Sequence, residues 1–446
     1  MHVFPQLRKL EHKYNGELAV VGVHSAKFTG EKDTANLRQA VLRYEIEHPV
    51  VNDRDFEVWR SYGVRVWPTM MFIDPEGNIL GKHEGEIQYE AIDRVLGGMV
   101  AQFDSPGVMD RRPLTFKPER EKERDGPLSF PGKVLADRDS GRLFVADSNH
   151  NRVVVASLDG QVTDIVGSGK HGFADGAFDR CSFYDPQGMA LGDDTLYVAD
   201  TKNHAVRAVD LAKKQVRTLA GTGEQAITFH GGGDGPSTSL NSPWDVAVHN
   251  GTLYIAMAGF HQLWRLDLAT NEVRPHAGNG RERIVDGPLD HSQLAQPSGM
   301  ATDGEKLYFT DSETSSVRTA DLDPDGKVFT IVGLDLFTFG DVDGVGDEVR
   351  LQHPLGIDVH DGVVFITDTY NNKVKRVFPE TRGVSTLLGS GDAGHTDGAA
   401  SAVELHEPGG LSVAGDTLYI ADTNNHAVRI AGLKDKTVET LRMQGL

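Results

Sequence analysis

Short apolar segments separated by polar turns recur along most of the chain, and they give the first indication of its fold. Segments such as LYVAD (196–200) and LYIAD (418–422) are followed by turns rich in Asn, Asp and Gly. Runs of β-branched and aromatic residues of this length, bounded by turn residues, are typical of β-strands. The pattern predicts that the chain from about residue 130 onwards consists of short strands.

These strands form a repeat. An anchor position at the end of the second strand of each unit returns six times, at intervals of 53 to 57 residues. It is occupied by Asp147, Asp200, Met257, Asp311, Asp368 and Asp422. Four short strands per unit, repeated at a fixed period, are typical of propeller blades, whose closed ring protects strand edges. We therefore predict an all-β, six-bladed propeller over residues 130–446.

A second recurring element lies at the start of the first strand of most units. In five units an Asp-Gly pair is followed by a Pro at this point, and in four of these a Gly comes two residues after the Pro. The glycines are Gly188, Gly299, Gly356 and Gly410. Because Gly has no side chain, it allows close approach of backbones, which we expect near the propeller axis.

Residues 1–103 have a different pattern, in which helices and strands alternate. Helical spacing is present in 1–15, 34–46 and 55–63, and a closing helix is predicted over 87–101. We predict a buried strand over 17–24, a short strand at HPVVND (48–53) and a hairpin over 64–80, around the turn Asp74-Pro75-Glu76-Gly77. This order indicates an α/β layer domain. Residues 104–129 combine Pro, Gly and a dense charge run, and are predicted to be a linker.

Composition narrows the possible functions. The net charge of −20 disfavours binding to nucleic acid, and no apolar run is long enough to span a membrane. Cys181 is the only cysteine, so no intrachain disulfide can form. We expect a monomeric cytoplasmic protein that contacts neither nucleic acid nor membranes.

The repeats resemble the NHL repeat, through Asn149-His150, Asn203-His204 and Asn425-His426. Since a single active site would not need six copies, we expect the repeated polar residues to hydrogen-bond blade turns to strand backbones. These expected structural residues are Asp147, Asn149, Asp200, Asn203, His204, Asp311, Asp368, Asn371, Asp422, Asn425 and His426.

The N-terminal segment resembles the redoxin branch of the thioredoxin superfamily, through Val66-Trp67-Pro68-Thr69 and the following MFIDPEGNIL. The resemblance implies that Pro68 is cis and that Trp67 flanks a groove beside the redox site. The Cys-x-x-Cys pair and the first strand of that family would precede the opening helix, and these residues do not contain them. We therefore expect an incomplete thioredoxin-like segment with an interrupted sheet and exposed apolar faces. Either Met1 is an internal start or a trimmed one, or this is a shortened, non-redox domain.

Taken together, the segment, linker and propeller resemble the family of NHL-repeat-containing protein 2. The fourth-blade run FGDVDGVG (339–346) and LQHPLG (351–356) strengthen this resemblance. It implies a cytosolic protein without a settled catalytic activity, and a binding groove between the two domains that includes Trp67 and Pro68.

Three functions remain open. The leading hypothesis is a non-catalytic binding or scaffold protein, without a cofactor. It would hold an unknown protein or small-molecule ligand at the propeller face and in the groove between the two domains. The first alternative is a thiol-disulfide redoxin with its cysteines upstream. The second is an NHL-type propeller enzyme with a channel metal, although no His spacing requires such a metal.

Two acidic runs and the single cysteine complete the candidate chemistry. The run that begins at Asp321 fails as an EF-hand because Val332 stands at its twelfth position. The loop of Asp341, Asp343 and Asp347 is expected to be solvated, with weak calcium binding as the alternative. Cys181 is expected to be a buried small hydrophobe.

Overall fold

The computed structural model describes residues 3–104, 109–112, 116–122 and 126–446. Parts of the predicted linker over 104–129 lie outside the described residues. The chain divides into two compact units, Met1–Arg124 and Asp125–Leu446, which are described separately.

The first unit is an α/β segment. Its helices are α1 (Val3–Lys13), α2 (Thr34–Arg43), α3 (Glu57–Ser61) and α4 (Tyr89–Phe103). Its strands are β1 (Gly22–His24), β2 (Val50–Asn52), β3 (Thr69–Ile73) and β4 (Ile79–Glu84). The apolar faces of α1 and α4 form a small core of Leu10, Tyr14, Ile92 and Leu96. Asp33 begins α2, because its carboxylate accepts hydrogen bonds from two otherwise unpaired backbone amides.

The sheet of this unit is interrupted. β1 pairs with β2 in parallel and β3 pairs with β4 antiparallel, and these are two separate two-stranded sheets. The predicted buried strand over 17–24 is wrong: only 22–24 forms a strand, and Val21 and Val23 are exposed. Within the described residues, β1 has a single strand partner, so its apolar positions lack the packing that a central strand would receive.

The second unit is a six-bladed β-propeller, as predicted. Each blade is an antiparallel sheet of four main strands, and blades two to six add a two-residue strand on the outer edge. Blade one contains β5 (Pro131–Asp137), β6 (Arg142–Asp147), β7 (Arg152–Ser157) and β8 (Val162–Val166). Blade two contains β9 (Gly176–Ala177), β10 (Pro186–Gly192), β11 (Thr195–Asp200), β12 (Ala205–Asp210) and β13 (Gln215–Ala220). Blade three contains β14 (Gly233–Asp234), β15 (Pro243–His249), β16 (Thr252–Met257), β17 (Gln262–Asp267) and β18 (Glu272–Ala277).

The remaining blades repeat this order. Blade four contains β19 (Gly287–Pro288), β20 (Pro297–Thr302), β21 (Lys306–Asp311), β22 (Ser316–Asp321) and β23 (Lys327–Val332). Blade five contains β24 (Gly344–Val345), β25 (Ile357–His360), β26 (Val363–Asp368), β27 (Lys373–Phe378) and β28 (Gly383–Leu388). Blade six contains β29 (Gly398–Ala399), β30 (Gly410–Ala414), β31 (Thr417–Asp422), β32 (Ala427–Gly432) and β33 (Thr437–Leu441).

The ring is closed at both of its levels. Around the axis, the inner strands β5, β10, β15, β20, β25 and β30 are neighbours in a complete circle. At the outer edge of blade one, the N–H of Val162 donates to the carbonyl oxygen of Gln444 at 3.0 Å. Apolar clusters fill the spaces between successive blades, for example the buried Val206 of blade two with Ile255 of blade three. This packing holds the polar turns and the channel in fixed positions.

Candidate functional site

The anchor side chains hold the start of the inner strand in their own blades. One carboxylate oxygen of Asp200 accepts a hydrogen bond from the backbone N–H of Tyr184 at 2.7 Å. The same bond recurs in every blade with an anchor Asp, and the donors there are Ser129, Ala295, Gln352 and His406. In blade three, the backbone N–H of Asn241 instead lies 3.4 Å from the Met257 sulfur. The five anchor aspartates are fully buried, so these bonds also satisfy carboxylates that water cannot reach.

The Asn residues of three turns bind the second oxygen of the same carboxylates. Asn203, Asn371 and Asn425 donate to Asp200, Asp368 and Asp422 at 2.9, 2.7 and 2.8 Å. Each also donates to a backbone carbonyl 31 residues earlier in the chain. The predicted turn residue Asn149 instead donates through its backbone N–H to the carbonyl of Ser129.

A second set of bonds ties each blade to the next. The last residue of every turn has a positive φ, and its side chain accepts a hydrogen bond from the backbone N–H just before the following inner strand. His204 Nδ1 accepts from Ser242 at 3.0 Å, and His426 Nδ1 accepts from Phe130 at 3.1 Å, which closes the ring. The other four acceptors are Asn151, His261, Ser315 and Asn372. His204, His261 and His426 thus lie in three separate blade junctions, whereas His150 contacts its own anchor Asp147 at 2.8 Å.

Behind the turns, a basic side chain neutralises the anchor carboxylate in five blades. Arg207, Arg318 and Arg429 are fully buried and each bridges the anchor Asp and a second Asp 32 residues earlier. Lys375 does so in blade five, and Arg152 contacts Asp147 in blade one. Burial lifts the pKa of Asp311 and Asp422 above their usual range. Each of these carboxylates is thus held by a cation and by backbone donors within its own blade.

Blade three has exchanged the whole network for apolar groups. At the positions of Asp175, Asp200 and Arg207 in blade two, blade three has Gly232, Met257 and Trp264. Blades four and six have the same three residue types as blade two. The Trp264 ring is fully buried and lies 5.8 Å from Phe260 and 5.3 Å from His230, between ring centroids. All three charges are therefore absent together, which avoids a buried charge without a partner.

The acidic loop of Asp341, Asp343 and Asp347 is neutralised by the chain itself. Lys375 contacts Asp341 at 2.7 Å and Asp343 at 3.2 Å, and Arg382 contacts Asp347 at 2.7 Å. Among the described residues no group of three or more His, Cys, Asp or Glu is placed to hold a metal ion. The alternative of calcium binding in this loop therefore finds no support from the geometry.

Cys181 is fully buried next to Phe183 in the core of blade two, and burial raises the pKa of its thiol to about 11. Because the thiolate is the reactive form, we expect iodoacetamide to alkylate native Cys181 at least about a hundredfold more slowly than the urea-unfolded chain. Mass spectrometry of timed samples measures both rates, with glutathione as the reagent control. Equal rates in the folded and unfolded chains would contradict the prediction.

The propeller axis is crossed by a buried ion pair. Each inner strand is entered through a Pro. Two residues after it, four blades have Gly, whereas blade one has Lys133 and blade three has Asp245. Lys133 Nζ lies 3.3 Å from Asp245 Oδ2, and it donates to the backbone carbonyls of Ser298 and Leu355 at 3.1 and 2.6 Å. All three ammonium hydrogens thus have acceptors, and one side chain connects four blades.

The glycines make room for this pair. A Cβ atom on Gly188 would lie 1.9 Å from Asp245 Oδ1, and one on Gly410 would lie 2.7 Å from Lys133 Cδ. Both distances are far inside van der Waals contact, so these positions accept only Gly as long as the pair is present. The predicted close approach at the axis is thus between glycine and charged side chains as well as between backbones.

Beside the ion pair, the channel contains a cavity of about 180 Å³. Residues of all six inner strands line it, mostly Val, Leu, Met and Ala. Its polar wall residues are Lys133, Asp245, Thr302, Asp358 and Ser412. Such an apolar pocket with few polar groups is a common form of ligand site.

In the first unit, Trp67 lies on an aromatic cluster with Phe56 and Trp59. The ring centroids of Trp67 and Trp59 are 4.5 Å apart, and the Trp67 indole N–H donates to the Ser25 carbonyl at 2.8 Å. Although fixed in this way, Trp67 remains 45% exposed. The Trp67–Pro68 peptide bond is cis, as the resemblance implied. The predicted binding groove between the two units stays a prediction.

A buried carboxylate supports the aromatic cluster. Asp53 accepts hydrogen bonds from the Ser25 hydroxyl at 2.7 Å and from the backbone N–H groups of Val58 and Trp59 at 3.0 and 2.9 Å. Burial alone would raise the pKa of Asp53, but the hydrogen bonds outweigh it and hold the pKa below its usual value. The charged Asp53 thus fixes both the start of α3 and the loop that carries Ser25.

Sequence comparisons agree with this architecture. A family model described as thioredoxin-like matches residues 1–79, and the NHL repeat model matches 183–208 and 405–431. The chain is 42% identical over 468 residues to Protein SUPPRESSOR OF QUENCHING 1, chloroplastic, of Arabidopsis thaliana, covering 100% of this chain and 44% of that protein. It is 38% identical to NHL repeat-containing protein 2 of Homo sapiens, covering 99% of this chain and 66% of that protein. The chain belongs to this family of thioredoxin-like, NHL-repeat proteins.

The chain spans less than half of the Arabidopsis protein and about two thirds of the human one. A solved auxiliary nutrient binding protein from Bacteroides thetaiotaomicron is similar over 71% of this chain and 70% of its own, with a TM-score of 0.52 and 14% identity. At that identity, the likeness shows the propeller fold alone. Among the described residues, no helix is long and apolar enough to cross a membrane.

Proposed function

We propose that the protein is a non-catalytic binding or scaffold protein, whose contact surface in the thioredoxin-like unit is centred on Trp67. The observation that carries the proposal is the contrast between two sets of groups. The repeated polar residues of the propeller are engaged in intramolecular bonds, whereas Trp67 is rigidly held and still 45% exposed. Fixed, exposed Trp side chains dominate many binding interfaces because little entropy is lost when a partner covers them.

The partner is an unknown protein or small molecule. A chain with a net charge of −20 disfavours nucleic acid as the partner. Because the single cysteine is buried and unpaired, we place the protein in a reducing compartment, with the cytoplasm as the first choice. The name of the Arabidopsis family member places that protein in the chloroplast, which makes a plastid the alternative.

The test compares the effect on binding of replacing Trp67 with the effect of replacing another exposed aromatic residue of the same unit. Peptides are selected from a random library on the full chain, and the dissociation constant of the tightest peptide is measured by calorimetry. We expect Trp67→Ala to weaken binding about thirtyfold, as the loss of a central Trp contact does at other interfaces. Tyr62→Ala, a similarly exposed aromatic of the same unit, should change it by less than about threefold.

The control on folding is built into the same series. Trp67→Phe keeps a ring against Trp59 but removes the hydrogen bond to Ser25. Its circular dichroism should match that of the parent chain, and its affinity should fall between those of the parent and Trp67→Ala. If the selected peptide binds all variants equally, Trp67 is not the contact surface.

A second candidate, thiol-disulfide exchange, is favoured by the thioredoxin-like match over residues 1–79. Such an activity needs a cysteine pair that residues 1–446 do not contain. Protein isolated from its native cells would be assayed for insulin reduction in parallel with this chain. Activity in the native protein alone would favour this candidate over the binding role.

A further inference from the structure

The channel cavity contains a negative charge that the chain does not neutralise. Four residues after the Pro position, the inner strands carry Leu135, Ala190, Ala247, Ala301, Asp358 and Ser412. Asp358 is thus the single ionisable group of this level. The next residue of each inner strand is Ala, Leu, Val or Thr, and in four blades the residue after that is ionisable: Asp137, His249, Asp303 and His360. Within the described propeller, no Lys or Arg forms an ion pair with Asp358, in contrast to the anchor aspartates.

The nearest ammonium in the channel is already occupied. Lys133 is bound by Asp245 and by the two carbonyls of Ser298 and Leu355, which account for its three hydrogens. Asp245 in turn accepts from the backbone N–H of Val246 and Met300 at 2.9 and 3.1 Å. This pair contributes no net charge to the cavity, and the carboxylate of Asp358 is left in excess.

Asp358 is held in a fixed position but keeps capacity for a further partner. Its oxygens accept from the N–H of Val359 at 2.8 Å, from the N–H of Val413 in blade six at 2.7 Å and from the hydroxyl of Ser412. A carboxylate has about four acceptor positions, so these three bonds leave room for one further donor. Burial raises the pKa of Asp358 to about 6, although these bonds and the charge of His360 on the same strand oppose the rise.

We propose that the channel cavity binds a small primary alkylammonium ion, with the ammonium group paired to Asp358 and the alkyl chain against the apolar walls. The pairing supplies the missing positive charge, and the wall residues Val134, Ala190, Val246 and Ala301 supply apolar contact. A cavity of about 180 Å³ has the volume of about six water molecules, which suits a chain of about four carbons.

The experiment uses the full chain and n-butylammonium chloride, with binding followed by calorimetry and by the carboxyl ¹³C shift of labelled aspartate. At pH 7.5 we expect saturable binding with one site per chain. n-Butanol, which has nearly the same shape without the charge, should bind at least tenfold more weakly, and so should potassium chloride. Binding should fade as the pH falls through about 6, because protonated Asp358 no longer attracts a cation.

Variants locate the site. Asp358→Asn should weaken binding at least tenfold, whereas Asp392→Asn, which removes an exposed carboxylate of the same propeller, should leave it unchanged. Trp67→Ala should also leave it unchanged, so failure of this inference and failure of the Trp67 proposal are distinguishable. The inference is overturned if n-butylammonium does not bind, if n-butanol or potassium ion binds as well, or if a folded Asp358→Asn chain binds it equally.

Discussion

Asp245→Ala is expected to destabilise the propeller by about 3–5 kcal/mol, the usual effect of removing one partner of a buried ion pair. The variant leaves the Lys133 ammonium at the axis without its counter-ion, and it leaves the Met300 backbone N–H without its acceptor. Both groups are buried, so water cannot replace what is lost. The free energy of unfolding is measured on the full chain by urea titration, with hydrogen exchange of propeller peptides as the local readout.

The double variant Lys133→Gly with Asp245→Gly separates charge from packing. It gives blades one and three the residue that the other four blades have at this position, so no charge remains unpaired. We expect it to be more stable than Asp245→Ala by at least about 1 kcal/mol, since residues in contact are coupled. Lys434→Ala breaks the exposed pair with Asp416 and should change stability by no more than about 1 kcal/mol. A double variant no more stable than the single one would show that the pair is not coupled.

The propeller was predictable because the residues that define each strand and each turn lie close together in the sequence. Each strand reads as four to seven apolar residues between turn residues, and the repeat of Asp147 and its equivalents fixes the number of blades. The incomplete thioredoxin-like segment was also predictable, although the strand over 17–24 was not, because apolar sequence alone cannot show whether a neighbour covers it. The β-propensity of these residues indicates a strand, but whether the strand is buried depends on which other parts of the chain pack against it.

The contacts between blades were not predictable in the same way. Lys133 and Asp245 break the glycine pattern in two separate blades, and only the closed ring shows that they meet at the axis. Likewise, the junction acceptors Asn151, His261 and Ser315 share no residue type; what they share is a position with positive φ. The signal that could have found the ion pair was the departure itself: two opposite charges at positions where four repeats have Gly.

Arg318→Leu is expected to destabilise blade four by about 3–5 kcal/mol, because two carboxylates lose their shared cation. Arg318 contacts Asp311 at 2.9 Å and Asp286 at 3.0 Å, and it donates to the carbonyls of Gln293 and Val285. Unfolding of the full chain and hydrogen exchange of the peptides over β21 and β22 measure the loss. Arg274→Ala, at a half-exposed Arg–Glu pair of blade three, serves as the control and should have little effect.

Blade three indicates how the same site can dispense with charge altogether. We expect the triple variant Asp286→Gly, Asp311→Met and Arg318→Trp, which copies Gly232, Met257 and Trp264, to be more stable than Arg318→Leu despite its three changes. It removes every charge of the network at once, and replacing a complete buried ion network by apolar side chains is often neutral. A triple variant less stable than Arg318→Leu would mean that Trp264 depends on neighbours particular to blade three, such as Phe260 and His230. A triple variant more stable than Arg318→Leu would mean that the space behind an NHL turn can be filled in two interchangeable ways: by the charged network of the other five blades or by the apolar groups of blade three.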